Sequence, residues 1–193
     1  CLGYGTYEPT ICPTGTYRSL GDSITCRLCP QGTFSPNTGL TTITDCEPCP
    51  AGRVCGIERM DNLDQSTPCP DGYACGEATT KAKQFDHTCP AGYFCFEETT
   101  PERQLDYICE PGHFCQRATK GYLKNRNKCS VQYFCPEGTT EGFPTETRCP
   151  AGTTSKSGRS RLTECEVTPV KVCDKSRERR YYPQFQYTFN GGL

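Results

Sequence analysis

The sequence predicts a small disulfide-rich fold, an elongated rod-like solenoid of β-hairpin and turn repeats without a large hydrophobic core. The 193 residues include 18 cysteines but only 28 Leu, Ile, Val and Phe residues, too few for a chain to collapse around an apolar core. The cysteines recur every 20 residues, and no helical periodicity runs for more than a turn. Disulfides replace such a core by restricting the unfolded chain, and they persist in oxidising, extracellular compartments.

A 20-residue cysteine repeat organises most of the chain. This regularity predicts stacked units in which neighbours along the sequence are also neighbours in space. In the regular repeats a second cysteine follows the first after six residues. The first cysteines are Cys29, Cys49, Cys69, Cys89, Cys109, Cys129 and Cys149, and the second cysteines are Cys55, Cys75, Cys95, Cys115 and Cys135.

Most repeats open with Cys-Pro-x-Gly, and the Cys109 repeat opens with Cys-Glu-Pro-Gly. This is a turn signal, because proline fixes φ and glycine adopts the positive φ values that other residues resist. The aromatic residues that follow, such as Tyr73 and Phe94, are expected to cover the disulfide. The Cys129 repeat reads CSVQYFC and lacks both Pro and Gly, so its turn is free to differ.

Four segments follow from this pattern. The last of them has the character of a basic linker and a strand-like tail, interpreted as the start of a following domain. The segments are longer cysteine-rich repeats at 1–48, five regular CPxGxxC repeats at 49–148, a terminal cysteine-rich repeat at 149–173 and the tail at 174–193. The whole is interpreted as a processed chain or a piece of a longer one, with targeting and anchoring elements elsewhere.

Two disulfide pairing schemes remain open, because connectivity cannot be read from sequence alone. The rival scheme begins with Cys55–Cys69, leaves Cys49 without a partner and takes Cys149 from Cys165, so the local scheme is favoured. Cys1 and Cys173 stay unassigned. The local pairs are Cys12–Cys26, Cys29–Cys46, Cys49–Cys55, Cys69–Cys75, Cys89–Cys95, Cys109–Cys115, Cys129–Cys135 and Cys149–Cys165.

The motifs CPTGTY at 12–17, CRLCPQGTFSPNTG at 26–39 and CEPCPAG at 46–52 resemble ephrin-receptor-like, Gly-Cys-Cys type cysteine-rich repeats, related in style to tumour-necrosis-factor-receptor and EGF-like modules. The short CPAGYFC units are similar to arrays in surface proteins of protists and algae, including ciliary-hair (mastigoneme) proteins and apicomplexan cysteine-repeat modular proteins. The resemblance extends over residues 12–165. It implies an extended extracellular rod and no catalytic residues.

Other chemistry is weakly indicated. Cys26, Cys29, Cys46 and Cys49 have the spacing of a four-thiolate zinc site, which is kept as a remote alternative because the same cysteines belong to the longer repeat. His87 and His113 lie in different repeats with no acid or nucleophile in register. We therefore expect no enzyme activity and no cofactor.

Two features are predicted beyond the last repeat. Arg177, Arg179 and Arg180 fit an Arg-x-x-Arg processing site, for which a basic linker is the favoured alternative. Phe185, Tyr187 and Phe189 alternate with polar residues and predict a strand with one aromatic face, a possible interaction strand.

Charge is uneven along the chain, with net −8 over residues 41–110 and net +7 over residues 111–180. This asymmetry favours a structural building block of an extracellular filament, stalk, coat or ciliary appendage, secreted or at the cell surface, whose copies associate in a staggered or head-to-tail manner. The alternative is the ligand-binding ectodomain of a receptor, with another extracellular protein as partner. Nucleic acid and direct membrane insertion of this segment are not expected.

Overall fold

The computed structural model describes residues 11–19, 21 and 25–168. These residues form a stack of short repeats, each named below after its first cysteine. The repeats span residues 12–28, 29–48, 49–68, 69–88, 89–108, 109–128, 129–148 and 149–168.

Regular secondary structure is short because the chain reverses direction about every ten residues. Two-residue strands pair as antiparallel hairpins, β1 with β2, β3 with β4, β5 with β6 and β7 with β8. The strands are β1 Thr16–Tyr17, β2 Arg27–Leu28, β3 Thr33–Phe34, β4 Glu47–Pro48, β5 Arg53–Val54, β6 Thr67–Pro68, β7 Thr153–Thr154 and β8 Glu166–Val167. Three-residue 3-10 helices lie at Ile43–Asp45, Leu63–Gln65, Pro101–Arg103, Gly121–Leu123, Thr145–Thr147 and Leu162–Glu164.

The Cys-Pro-x-Gly segment forms the predicted turn. In the Cys69 repeat the Tyr73 amide donates to the Pro70 carbonyl at 3.2 Å, and Gly72 has φ +83°. The Cys129 repeat keeps the same geometry without either residue, because Gln132 adopts φ 72° and the Tyr133 amide donates to the Ser130 carbonyl at 3.2 Å. The expectation that this turn is free to differ is therefore wrong.

A ladder of four backbone hydrogen bonds joins each repeat to the next. Because all four recur at 20-residue intervals, the repeats stack in register. Between the Cys69 and Cys89 repeats they run from Cys89 to Gly72 at 2.9 Å, from Gly72 to Cys95 at 3.1 Å, from Cys75 to Thr99 at 3.0 Å and from Glu98 to Cys69 at 3.1 Å, each from amide to carbonyl. The predicted disulfide-rich hairpin-repeat fold is confirmed.

Disulfides occupy the centre of the stack. The described residues contain eight of them, and each joins the two cysteines that the local scheme pairs. Both cysteines of the Cys89–Cys95 bridge have no solvent exposure. Because these sulfur atoms are shielded on all sides, they take the place that aliphatic side chains hold in a larger core.

The aromatic cover of the disulfides is shared between neighbouring repeats. Phe94 is 4% exposed and packs on the Cys109–Cys115 bridge of the following repeat. Tyr73, one position earlier in its repeat, packs with the Cys69–Cys75 bridge of its own repeat. A repeat therefore cannot bury its own core alone, and stacking supplies the missing surface.

The division into four segments stays a prediction, because the hydrogen-bond ladder alone does not define domain boundaries. The ladder continues across residues 48–49 and 148–149. The tail at 174–193 lies outside the described residues.

Candidate functional site

The two histidines lie in different repeats, His87 in the Cys69 repeat and His113 in the Cys109 repeat. His87 is exposed. The Nδ1 atom of His113 lies 3.3 Å from the carbonyl oxygen of Pro111, which belongs to the same repeat as His113. Over residues 11–19, 21 and 25–168, no group of three His, Cys, Asp or Glu side chains is placed to hold a metal ion.

The remote zinc alternative does not fit the structure. A four-thiolate site needs free, deprotonated cysteines. Cys26 is bonded to Cys12, Cys29 to Cys46, and Cys49 to Cys55. The CxxC spacing arises because the second cysteine of each long repeat is followed by only two residues before the first cysteine of the next repeat.

The outer surface offers one continuous face, formed where the fifth residue of a repeat pairs with its last residue. Isolated antiparallel bridges join Tyr73 to Thr88, Tyr93 to Ile108, His113 to Lys128 and Tyr133 to Arg148. Directly opposed residues of an antiparallel pair project to the same side, so these pairs form successive rows along the stack. We call this surface the bridge face.

A third position joins the bridge face from two repeats farther along the chain. The Arg117 Nη2 atom donates to the Thr88 Oγ1 atom at 3.4 Å. Lys128 lies against the equivalent turn of the Cys149 repeat, where a Cβ placed on Gly158 would be 3.6 Å from the Lys128 Cδ atom. By the 20-residue repeat, the exposed carboxylates of Glu77, Glu97 and Glu137 take the position of Arg117.

The charge of the bridge face changes sign along the stack. By the repeat register, Glu77 and Glu97 belong to the two rows before Tyr73–Thr88, and Lys128 and Arg148 lie in the two rows after Tyr93–Ile108. Between them, Arg117 joins the Tyr73–Thr88 row and Glu137 takes the same place at the Tyr93–Ile108 row. The cation of Arg53, at the fifth position of the Cys49 repeat, is paired with Glu98, with 2.5 Å between the Nη1 and Oε1 atoms. The uneven charge seen in the sequence is therefore present within a single face.

Two carboxylates close loops near the two ends of the stack. The Thr41 and Thr42 amides each donate to the Asp45 Oδ2 atom at 2.9 Å, and these bonds lower the pKa of that carboxyl group. The Ser160 and Arg161 amides do the same for Glu164 and lower its pKa. Hydrogen bonds to the ionised form favour that form, so both side chains act as structural anions.

Several predicted site residues lie outside the described residues. They are Cys1, Cys173, the basic residues Arg177, Arg179 and Arg180, and the aromatic residues Phe185, Tyr187 and Phe189. The interpretations of these residues as a processing site, an interaction strand and unassigned cysteines stay predictions.

Comparison with known protein families agrees with the disulfide-rich repeat fold. Residues 2–46 match the family model described as tyrosine-protein kinase ephrin type A/B receptor-like. The resemblance to ephrin-receptor-like cysteine-rich repeats is confirmed over that part of the chain. No curated protein matches the sequence.

The stacked repeats, the buried disulfides and the family match define a cysteine-rich repeat module of the extracellular type. Its location is extracellular or at the cell surface. Within residues 11–19, 21 and 25–168, no helix has the length and apolar character needed to span a bilayer.

Proposed function

We propose that the chain is a non-catalytic structural segment, a building block of an extracellular filament, stalk, coat or ciliary appendage. The observation that supports this most strongly is the hydrogen-bond ladder, which continues through every described repeat. A stack in which each unit is hydrogen-bonded to the next is long and stiff, and a spacer needs both properties.

Contacts between next-nearest repeats add to this stiffness. A Cβ placed on Gly52 would lie 2.6 Å from the Glu98 carbonyl oxygen, and Arg53 pairs with the Glu98 side chain. Repeats 40 residues apart are thus in direct backbone contact. Bending between two adjacent repeats would separate these contacts as well as the ladder, so the array resists bending.

A receptor ectodomain is the second candidate, and the family match over residues 2–46 is the observation that favours it. Both functions use the same scaffold, so the fold alone does not choose between them. In a receptor the stack would present an edge to a different extracellular protein and would remain a single rod.

Negative-stain microscopy and sedimentation of the oxidised 193-residue chain test the proposal. We expect ordered side-by-side or end-to-end assemblies at low ionic strength, and their dissociation as salt is raised. Isolated rods at every protein and salt concentration would contradict a structural, self-associating segment. That outcome together with one-to-one capture of a different extracellular protein would support the receptor.

A further inference from the structure

We propose that the bridge face is the surface through which copies of this chain associate, with the later, basic rows of one copy docked on the earlier, acidic rows of another. This inference rests on the proposed structural function and names the contact that such an assembly would use. The occupant is a second copy of this chain.

The first step of the argument is that the charges share one face. Lys128 and Arg148 are the last residues of consecutive repeats, and each is bridged to the fifth residue of its own repeat, His113 and Tyr133 respectively. The ladder holds consecutive repeats in a fixed register, so these two exposed cations occupy successive rows. Arg117 adds a third cation at the Tyr73–Thr88 row, two rows before that of Lys128.

The opposite charges follow the same geometry. Glu77 and Glu97 are 20 residues apart and hold the position through which Arg117 reaches the face. The ladder sets the distance between successive rows, so the acidic side chains and the basic side chains are spaced equally along the face. A second copy shifted along the rod can therefore bring its cations opposite these carboxylates row by row, as electrostatic complementarity between surfaces requires.

The middle of the face supplies apolar surface for the contact. Tyr73 and Tyr93 are half-buried, and Ile108 is 37% exposed in the row directly before the rows of Lys128 and Arg148. Aromatic and aliphatic side chains surrounded by charged residues are typical of protein interfaces, whose centres are apolar and whose rims are polar.

The change of charge along the bridge face also determines how two copies align. Two copies aligned in parallel without a shift place like charges opposite each other, which opposes association. A staggered copy pairs its basic rows with acidic rows and leaves its own acidic rows open for the next copy. Such a heterologous contact propagates into a filament instead of closing into a dimer.

Charge reversal on the full oxidised chain tests this face. The double variant Lys128→Glu/Arg148→Glu makes the face acidic except for Arg117, and Glu77→Lys/Glu97→Lys makes it basic except for Glu137. We expect each variant alone to associate at least roughly tenfold more weakly than the wild type in sedimentation at low salt. An equimolar mixture of the two should recover association, because the two reversed faces complement each other.

Matched variants outside the bridge face serve as controls. Lys156→Glu/Arg161→Glu and Glu58→Lys/Asp64→Lys reverse the same number of exposed charges and should associate as the wild type does. Face variants that assemble like the wild type, or a mixture that stays monomeric, would overturn the inference while leaving the structural function standing. Wild-type chains that never associate would overturn both, and assembly that stops at two copies would overturn the stagger.

Discussion

Gly72 lies against the backbone of Ala118, although the whole Cys89 repeat lies between the repeats to which these two residues belong. A Cβ placed on Gly72 would lie 2.5 Å from the Ala118 carbonyl oxygen, closer than real Cβ atoms approach such an atom. The glycine of the Cys-Pro-x-Gly turn therefore has two roles. It supplies the positive φ of the turn, and it leaves room for the repeat after next.

These two roles can be separated by one pair of substitutions. Gly72 and Gly152 have the same φ of +83°, but a Cβ placed on Gly152 would meet no atom within 4 Å. Gly152→Ala should therefore cost only the positive-φ strain, about 1–2 kcal/mol. Gly72→Ala should cost roughly 1–3 kcal/mol more, because the Ala118 backbone must move.

Thermal unfolding of the two oxidised variants, followed by circular dichroism, measures this difference. Equal losses of stability would show that the approach of Ala118 contributes nothing to the free energy of unfolding, and that the glycine is required only by the turn.

The sequence predicts the turn but not this close approach, and the reason is physical. Proline and glycine at fixed offsets encode local backbone geometry, so the Cys-Pro-x-Gly turn and its 20-residue recurrence are readable without a structure. The contact of Gly72 with Ala118 depends on the rise and rotation from one repeat to the next, which no local pattern specifies.

Thr99 makes a second contact that the sequence does not predict. Threonine at this position suggests extended structure, yet in the fold its hydroxyl donates to the Phe96 carbonyl at 2.8 Å and its own carbonyl accepts from Cys75. The only available signal was that threonine recurs at this position in successive repeats, at Thr79, Thr119 and Thr139. A hydrogen bond within a turn can be seen only once the turn is known.

At Gln132 we predict a substitution that stabilises the protein. It is a non-glycine residue with φ 72° at the turn position that glycine holds in the neighbouring repeats. We expect Gln132→Gly to stabilise the oxidised protein by about 1 kcal/mol, because glycine adopts this conformation without the Cβ penalty. Chemical denaturation monitored by tyrosine fluorescence would detect the change, and Gln116→Gly, at an exposed position with no positive φ, is the control. A destabilised Gln132→Gly protein would indicate that the Gln132 side chain contributes a contact of its own.

Central and terminal disulfides should differ in a way that loop length does not predict. The Cys109–Cys115 bridge closes a separation of 6 residues and the Cys149–Cys165 bridge one of 16, so chain entropy alone makes the terminal bridge the more stabilising, at about 3 kcal/mol against about 2 kcal/mol. The central bridge is also fully buried and forms the surface on which Phe94 packs. We expect replacement of both central cysteines by alanine to cost more than replacement of both terminal ones, because it also opens a cavity beneath Phe94.

The midpoint of guanidinium unfolding for the two double-alanine variants gives the order directly. A larger loss for the terminal pair would mean that the disulfides act on the unfolded chain alone, and that packing on sulfur adds nothing to the stack.

The carboxylates at the two ends of the stack predict an acid-sensitive loss of stability. The folded pKa values of Asp45 and Glu164 lie below their ordinary values of 3.8 and 4.5, because backbone amides donate to each carboxylate. A group whose pKa is lowered by folding contributes stability that is fully present above its unfolded pKa and is lost as the pH falls through the folded value. Melting temperatures of the wild type should therefore be flat from pH 7 to about pH 5 and should fall below about pH 4.

Glu164→Gln and Asp45→Asn should lower the melting temperature near neutral pH and reduce its decline in acid, because the amide side chains do not titrate. Glu146→Gln is the matched control, since the Glu146 carboxylate accepts no hydrogen bond in the part of the chain that the structure describes. Its melting curve should follow the wild type at every pH. If the Glu164→Gln and Asp45→Asn proteins decline in acid as steeply as the wild type, the loop-closing bonds to these carboxylates do not contribute to the pH dependence of folding.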